Sequence, residues 1–222
     1  MLKDNLKTVL DNIEKNKTAS CVTVLCATKT VPSEIINTLP SYGLSVVGEN
    51  KVQELLDKYH LVKGVEWRII GRLQTNKVKY IIDKVSLIES VDRQSLADEI
   101  DKQAKKHGIK MKVLVQINGG DEENKGGVAV EDLKPLLDYV KAKENVELVG
   151  VMSVFPKFAS EELYAKVQRA YEKYKDEYGL TVLSMGMSED YATAVKYGST
   201  EVRLGSALFG KRYYEEVKNE QH

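Results

Sequence analysis

The run Cys21-Val-Thr-Val-Leu-Cys-Ala-Thr-Lys29 decides how this chain is read. Its small and apolar residues end at a lysine, and Val31-Pro32-Ser33 opens a turn directly after it, so the run reads as a buried strand with Lys29 at its carboxyl end. Side chains alternate between faces along a strand, which puts Lys29 on one face with Ala27, Leu25 and Thr23. A lone amine above that apolar row can form a Schiff base. Equally, a lysine can lay its stem over a strand end and leave its ammonium in water. The rest of the chain decides between the two.

Upstream, Leu2, Leu6, Val9, Leu10 and Ile13 fall on one helical stripe and predict a leading helix. Downstream, short apolar runs near residues 45–49, 66–71, 86–90, 112–118, 147–153, 181–186 and 201–205 alternate with amphipathic segments. Together with 22–29 they make eight predicted strands. Their starts recur about every 25 residues, which leaves room for one crossover helix and little else, so the strands are parallel. Eight such units predict an α/β fold of one kind, a single (β/α)8 barrel with an additional N-terminal helix, spanning residues 1–222 as one domain. The last unit is expected to end near Lys211-Arg212, with no room for a second domain.

Composition narrows the partners. Lysine plus arginine equals aspartate plus glutamate at 33 each, for a formal net charge of zero, so nothing favours nucleic acid or a membrane surface. No stretch approaches the ~18 apolar residues of a membrane span, and a cytoplasmic protein is the expectation. Cys21 and Cys26 lie five apart on one predicted strand, on opposite faces and roughly 16 Å apart, and can form neither a disulfide nor a metal pair with each other. The three histidines, His60, His107 and His222, show no metal-ligand spacing. His107 closes Ala104-Lys-Lys-His107-Gly108, whose cations and glycine mark a helix end. Trp67 falls in the third predicted strand and reads as core.

Ligands of such barrels sit at the carboxyl ends of the strands, and phosphates often sit behind strands seven and eight. Strand seven leaves as Leu183-Ser-Met-Gly-Met-Ser188 and strand eight as Val202-Arg-Leu-Gly-Ser206. Glycine admits close backbone approach, and a serine at a helix start offers a hydroxyl beside unpaired amide donors. Ser188 and Ser206 read either as a phosphate cup or as ordinary helix caps. Arg203 shares strand parity with Glu201 and Gly205 and points into the barrel mouth or onto a buried acid. Gly48-Glu49-Asn50, Gly71-Arg-Leu-Gln-Thr-Asn-Lys77 and Asn118-Gly119-Gly120 add polar residues to the same rim.

These residues resemble the pyridoxal 5′-phosphate homeostasis protein family. The resemblance rests on Cys26-Ala-Thr-Lys29-Thr, Gly48-Glu-Asn-Lys-Val-Gln-Glu54, Ile70-Gly-Arg-Leu-Gln-Thr-Asn-Lys77, Leu183-Ser-Met-Gly-Met-Ser-Glu-Asp190 and Gly198-Ser-Thr-Glu-Val-Arg-Leu-Gly-Ser-Ala-Leu-Phe-Gly210, and covers nearly the whole chain. The family is similar to the barrel domain of alanine racemase standing alone. The resemblance implies that Lys29 forms the internal aldimine and that Arg203 faces the pyridine nitrogen. It places the phosphate on Ser188, Gly205 and Ser206, with Asn50 lining the ring pocket and Met187 shaping the site. Where the family pattern leads one to expect a histidine before Ile-Gly-x-Leu-Gln, this chain has Trp67-Arg68, and Ala-Thr-Lys replaces the usual Val-Ser-Lys. Arg68 therefore stands on the rim as a departure.

An arginine facing the ring is a donor only and favours an unprotonated nitrogen, hence a weak electron sink. Racemisation also needs proton carriers on both faces of the substrate carbon, and none of the 12 tyrosines sits in a motif assignable to the second face. The expected function is reversible holding of pyridoxal 5′-phosphate and a part in its intracellular homeostasis, with pyridoxal-phosphate-dependent apo-enzymes as recipients. The expected protein is a monomer with no catalytic residues and no metal. The alternatives are a weak amino-acid racemase, another Schiff-base barrel such as an aldolase, or a scaffold without ligand.

Overall fold

The computed structural model describes residues 1–120 and 126–210. Eight parallel strands close into a barrel in chain order: β1 (Thr23–Ala27), β2 (Val46–Glu49), β3 (Glu66–Ile69), β4 (Leu87–Val91), β5 (Met111–Asn118), β6 (Val146–Val154), β7 (Val182–Ser184) and β8 (Glu201–Leu204). All eight expected strands are present, several ending one or two residues short of the rim. Helices lie between and around them: α1 (Leu2–Asn16), α2 (Ser33–Ile36), α3 (Val52–Tyr59), α4 (Gln94–His107), α5 (Leu133–Lys141), α6 (Glu161–Tyr178), α7 (Tyr191–Lys196) and α8 (Ser206–Phe209). Between β3 and β4 the connection is a 3-10 turn over Thr75–Tyr80 rather than a full helix. The expected end of the barrel at Lys211-Arg212, and His222, lie outside the described residues.

Strand parity divides the apolar residues in two. Val24, Cys26, Val47, Trp67, Ile69, Ile88, Val113, Val115, Val151, Leu183, Val202 and Leu204 pack outward with the helices in one large core. The other face points into the barrel, where Leu87, Leu114 and Met152 form a small separate cluster. The helices bury their stripes against the outer layer, as Leu6, Val9 and Ile13 of α1 do. Leu10, expected on that stripe, is 47% exposed; at one residue past Val9 it turns ~100° away from the seam. Helix α4 ends as expected: Lys105, Lys106 and His107 occupy its last turn, and Gly108 takes a left-handed φ of 65°.

Register sets which strand exits are neighbours. Ala27 pairs with Gly48, Cys26 with Leu204, and Ser184 with Glu201. The exits of β2, β1, β8 and β7 therefore stand side by side on one arc of the rim.

Candidate functional site

That arc collects the expected residues. Lys29 follows β1, Asn50 follows β2, Met187 and Ser188 follow β7, and Gly205 and Ser206 follow β8. Lys29 is exposed, but it is not a strand residue. Strand β1 stops at Ala27, the Thr28 N–H donates to Gly48 O at 3.0 Å, and the chain turns, with Thr30 at a φ of 66°. The expected parity of Lys29 with Ala27 and Leu25 thus ends at the turn, and the turn sets the direction of the lysine. Asn50 is brought against the next stave because residue 71 is glycine: a Cβ there would lie 2.4 Å from Asn50 O.

Ser188 and the β8 exit meet directly. The N–H groups of Gly205 and Ala207 both donate to Ser188 Oγ, each at 3.1 Å. The loop carrying Ser188 is pinned by Asp190, which accepts the Met187 N–H at 2.6 Å and the Tyr164 hydroxyl at 2.6 Å. Burial and then Asp190 hold the Tyr164 phenol well above its ordinary range. Ser206 opens α8, and Met187 is 40% exposed beside the cup. Both main-chain donors are taken up by Ser188 Oγ, which fixes the hydroxyl at the β8 exit and leaves its own proton to donate. The donor set fits a phosphate monoester.

Beneath the rim lies Arg203, buried inside the barrel. Its Nη1 donates to Ser184 Oγ at 2.6 Å and its Nη2 to Ser153 O at 2.8 Å. A guanidinium carries five N–H groups, so these two bonds anchor it and leave further donors. Ser184 Oγ also contacts Glu89 Oε2 at 2.9 Å and Glu201 Oε1 at 3.1 Å. Burial, and then the proximity of Glu201, push the Glu89 carboxyl well above the usual carboxylate range.

Arg68 is the main correction. It does not stand on the rim: it pairs with Glu201 and Glu66, lies 3.9 Å from Glu89, and lines a cavity of about 860 Å³ at the opposite, amino-terminal mouth of the barrel. Position 68 faces into the barrel, where Glu66 of its own strand, Glu89 of β4 and Glu201 of β8 neutralise its charge. Glu49, read from sequence as part of a polar rim, is fully buried: its Oε1 accepts from Thr28 Oγ1 at 2.8 Å and Lys58 Nζ at 2.9 Å. Burial, opposed by Lys58, raises its carboxyl above the ordinary range.

Glu89 and Lys58 carry no motif that would have marked them, and the strand-seven motif, although it contains Ser184, gives that residue no role. Only the placing of a glutamate inside the apolar run Leu87-Ile88-Glu89-Ser90-Val91 signals an inward-facing partner. Lys77 lines a small cavity of about 290 Å³ together with Asn50, Lys51, Arg72 and Gln74, which makes it the competing amine on this side of the rim. Among the described residues, no three His, Cys, Asp or Glu side chains are grouped to hold a metal ion, and no helix is long and apolar enough to cross a membrane.

Comparison with known proteins gives the family and the fold. The alanine racemase N-terminal domain family matches residues 2–213. The pyridoxal phosphate homeostasis protein of Aquifex aeolicus is 44% identical over 224 aligned positions, covering 95% of this chain and 98% of its own. That of Haemophilus influenzae is 33% identical, covering 93% and 92%. Among solved structures, PipY of Synechococcus elongatus with pyridoxal phosphate bound superposes with a TM-score of 0.83 at 26% identity, covering 95% of this chain and all of that one. Alanine racemase of Clostridium difficile superposes with a TM-score of 0.75 at 19% identity; 93% of this chain covers 56% of that enzyme, a likeness of fold alone. The chain belongs to the pyridoxal phosphate homeostasis proteins and to the alanine racemase N-terminal domain family.

Proposed function

We propose that this protein holds pyridoxal 5′-phosphate reversibly as an aldimine of Lys29, and so takes part in intracellular homeostasis of the cofactor and, indirectly, of amino and keto acids. The observation that carries the reading is the convergence of the Gly205 and Ala207 N–H groups on Ser188, one strand exit away from Lys29. The cofactor supplies an aldehyde that condenses with an amine, with loss of water, and a pyridine ring able to accept electron density.

The chain's own residues supply the rest. Ser188, Gly205 and Ser206 hold the phosphate, so the aldehyde is presented to the Lys29 amine at high effective concentration. Asn50 and Met187 border the ring. Arg203, anchored on Ser184 and Ser153, offers only N–H donors to the ring nitrogen and disfavours its protonation, which limits carbanion chemistry. A carrier without catalytic residues follows, working as a cytoplasmic monomer that passes the cofactor to pyridoxal-phosphate-dependent apo-enzymes.

The likeness to alanine racemase keeps one competing reading, a weak amino-acid racemase. Against it, Tyr164, the buried tyrosine joined to the cup loop, has its hydroxyl committed to Asp190. It is no free proton carrier. The deciding experiment is a visible spectrum of the protein incubated with pyridoxal 5′-phosphate, before and after borohydride reduction, followed by peptide mapping. The tag is expected on Lys29. A tag mainly on Lys77, or none, overturns the assignment, and saturable D-alanine formation lost in Lys29→Ala overturns the carrier reading in favour of the racemase.

A further inference from the structure

The two residues flanking Lys29 are held by helix α3 in a way that strand termination alone does not require. Thr30 has a φ of 66°, a left-handed conformation that a β-branched residue rarely adopts and that persists only where surroundings impose it. The Val31 N–H donates to Thr28 O at 2.9 Å and closes a turn with Thr30 at its third position, and Glu54, whose Oε1 accepts the Thr30 N–H, holds that residue there. On the other side, Lys58 Nζ donates to Thr28 O at 2.8 Å. The same ammonium donates to Glu54 Oε1 at 2.7 Å and to Glu49 Oε1 at 2.9 Å, so all three of its donors are used. Glu54 and Lys58 stand four apart on α3, the spacing at which helix side chains meet. They are largely shielded from water, and Glu49 fully so.

The segment has not relaxed to satisfy its own groups. Thr30 Oγ1 and Glu49 Oε2 are both buried without a hydrogen-bond partner among the described residues. A strained backbone, two orphaned oxygens and a fully engaged ammonium surround the single exposed lysine of this turn.

We propose that Glu54 and Lys58 are positioning residues for Lys29: they clamp the peptide groups of Thr28 and Thr30 and thereby fix the direction in which the lysine leaves the main chain. The clamp rests on the reading of Lys29 as the attachment point. With the turn preset, the amine meets the aldehyde of a phosphate-anchored ligand without first ordering the backbone. Without the clamp, only the bond from the Val31 N–H to Thr28 O holds the turn, and the root of Lys29 is less firmly fixed.

Two readouts on the full chain test this, the first without cofactor. Amide hydrogen exchange at Thr30 should quicken roughly tenfold or more in Glu54→Ala, because the acceptor of its N–H is lost. It should stay near wild type in Glu54→Gln, whose amide oxygen still accepts. Borohydride-trapped pyridoxal 5′-phosphate on Lys29 should fall in parallel, by roughly tenfold in apparent affinity, and return in Glu54→Gln. It should return in part in Glu54→Ala combined with Thr30→Gly, since glycine adopts the positive φ without penalty. Melting temperature monitors the fold, and Lys58→Met is a second probe should Glu54→Ala not fold. Unchanged Thr30 exchange in a folded Glu54→Ala overturns the clamp. Faster exchange with undiminished trapping at Lys29 overturns the positioning role. If wild type shows protected Thr30 but traps no cofactor on Lys29, the attachment reading itself fails, and the positioning role with it.

Discussion

Arg203 Nη1 donates to Ser184 Oγ at 2.6 Å, and that single hydroxyl also meets Glu89 Oε2 at 2.9 Å and Glu201 Oε1 at 3.1 Å. A serine has one proton to give and two lone pairs to receive with. Once it accepts from Arg203 and donates to one carboxylate, the other carboxyl can hydrogen-bond only by bringing its own proton. All three contacts are hydrogen bonds at once when one of the two acids carries a proton. Glu89, fully buried, is the acid whose carboxyl is raised, by desolvation first and by Glu201 second.

Removing the shared hydroxyl should disturb all three partners. Ser184→Ala leaves Arg203 Nη1 and Glu89 Oε2 without this contact, a loss of about 1–3 kcal/mol of stability. Urea unfolding of the cofactor-free protein measures it. A change below ~0.5 kcal/mol would mean that the network re-forms around the gap.

The protonation of Glu89 has a pH signature. Its folded-state pKa lies above the unfolded value of ~4.3, so the folded protein binds more protons between the two and the contribution of Glu89 to stability declines as pH rises through that window. Glu89→Gln mimics the protonated acid in both states and removes the decline. Its stability relative to wild type should rise with pH by up to ~1.4 kcal/mol per unit across the window. A relative stability that falls with pH would show Glu89 to be ionised in the fold.

Glu201→Gln should behave differently. It strips a buried carboxylate from Arg68, which sits with Glu201 in the low-dielectric barrel, and breaking such a pair costs about 3–5 kcal/mol. Thermal unfolding at neutral pH should show the larger loss in Glu201→Gln than in Glu89→Gln. The reverse order would assign the proton to Glu201.

The cup makes a ligand-specific prediction. Charge-assisted hydrogen bonds contribute about 1.5–3 kcal/mol, so Ser188→Ala should weaken retention of pyridoxal 5′-phosphate by roughly ten- to a hundred-fold, and Ser206→Ala likewise. Pyridoxal lacking the phosphate should respond far less. Equal losses for both ligands, measured by equilibrium dialysis, would place the serines in the fold rather than in the phosphate site.

The two thiols should separate cleanly. Cys21 is exposed, whereas Cys26 faces the outer core and burial pushes its thiol up to about 12. A thiol reagent should label one cysteine, Cys21, in the native protein and both after denaturation. Native labelling of Cys26 would show that β1 opens.

What the sequence determined by itself is local and periodic. Alternating apolar runs and amphipathic segments are set by residues two to four apart, so the eight strands and their order could be read directly, as could the strand exits where Lys29, Asn50, Ser188 and Gly205 lie. Glycine and cations marked the end of α4 for the same reason. What only the tertiary structure decided is who neutralises whom. Arg68 meets Glu201 across 133 positions of sequence, and Ser184 meets Glu89 across 95. Barrel closure creates these contacts by bringing β3, β4, β7 and β8 around one enclosed space. In that space an unpaired charge is too costly to persist, so Arg68 turns to the acids beside it rather than to the rim; on the outer face of the barrel, burial under α3 likewise pairs Glu49 with Lys58. The turn at Lys29 was hidden likewise, because no glycine marks the left-handed φ of Thr30, whose N–H is held by Glu54, 24 residues away.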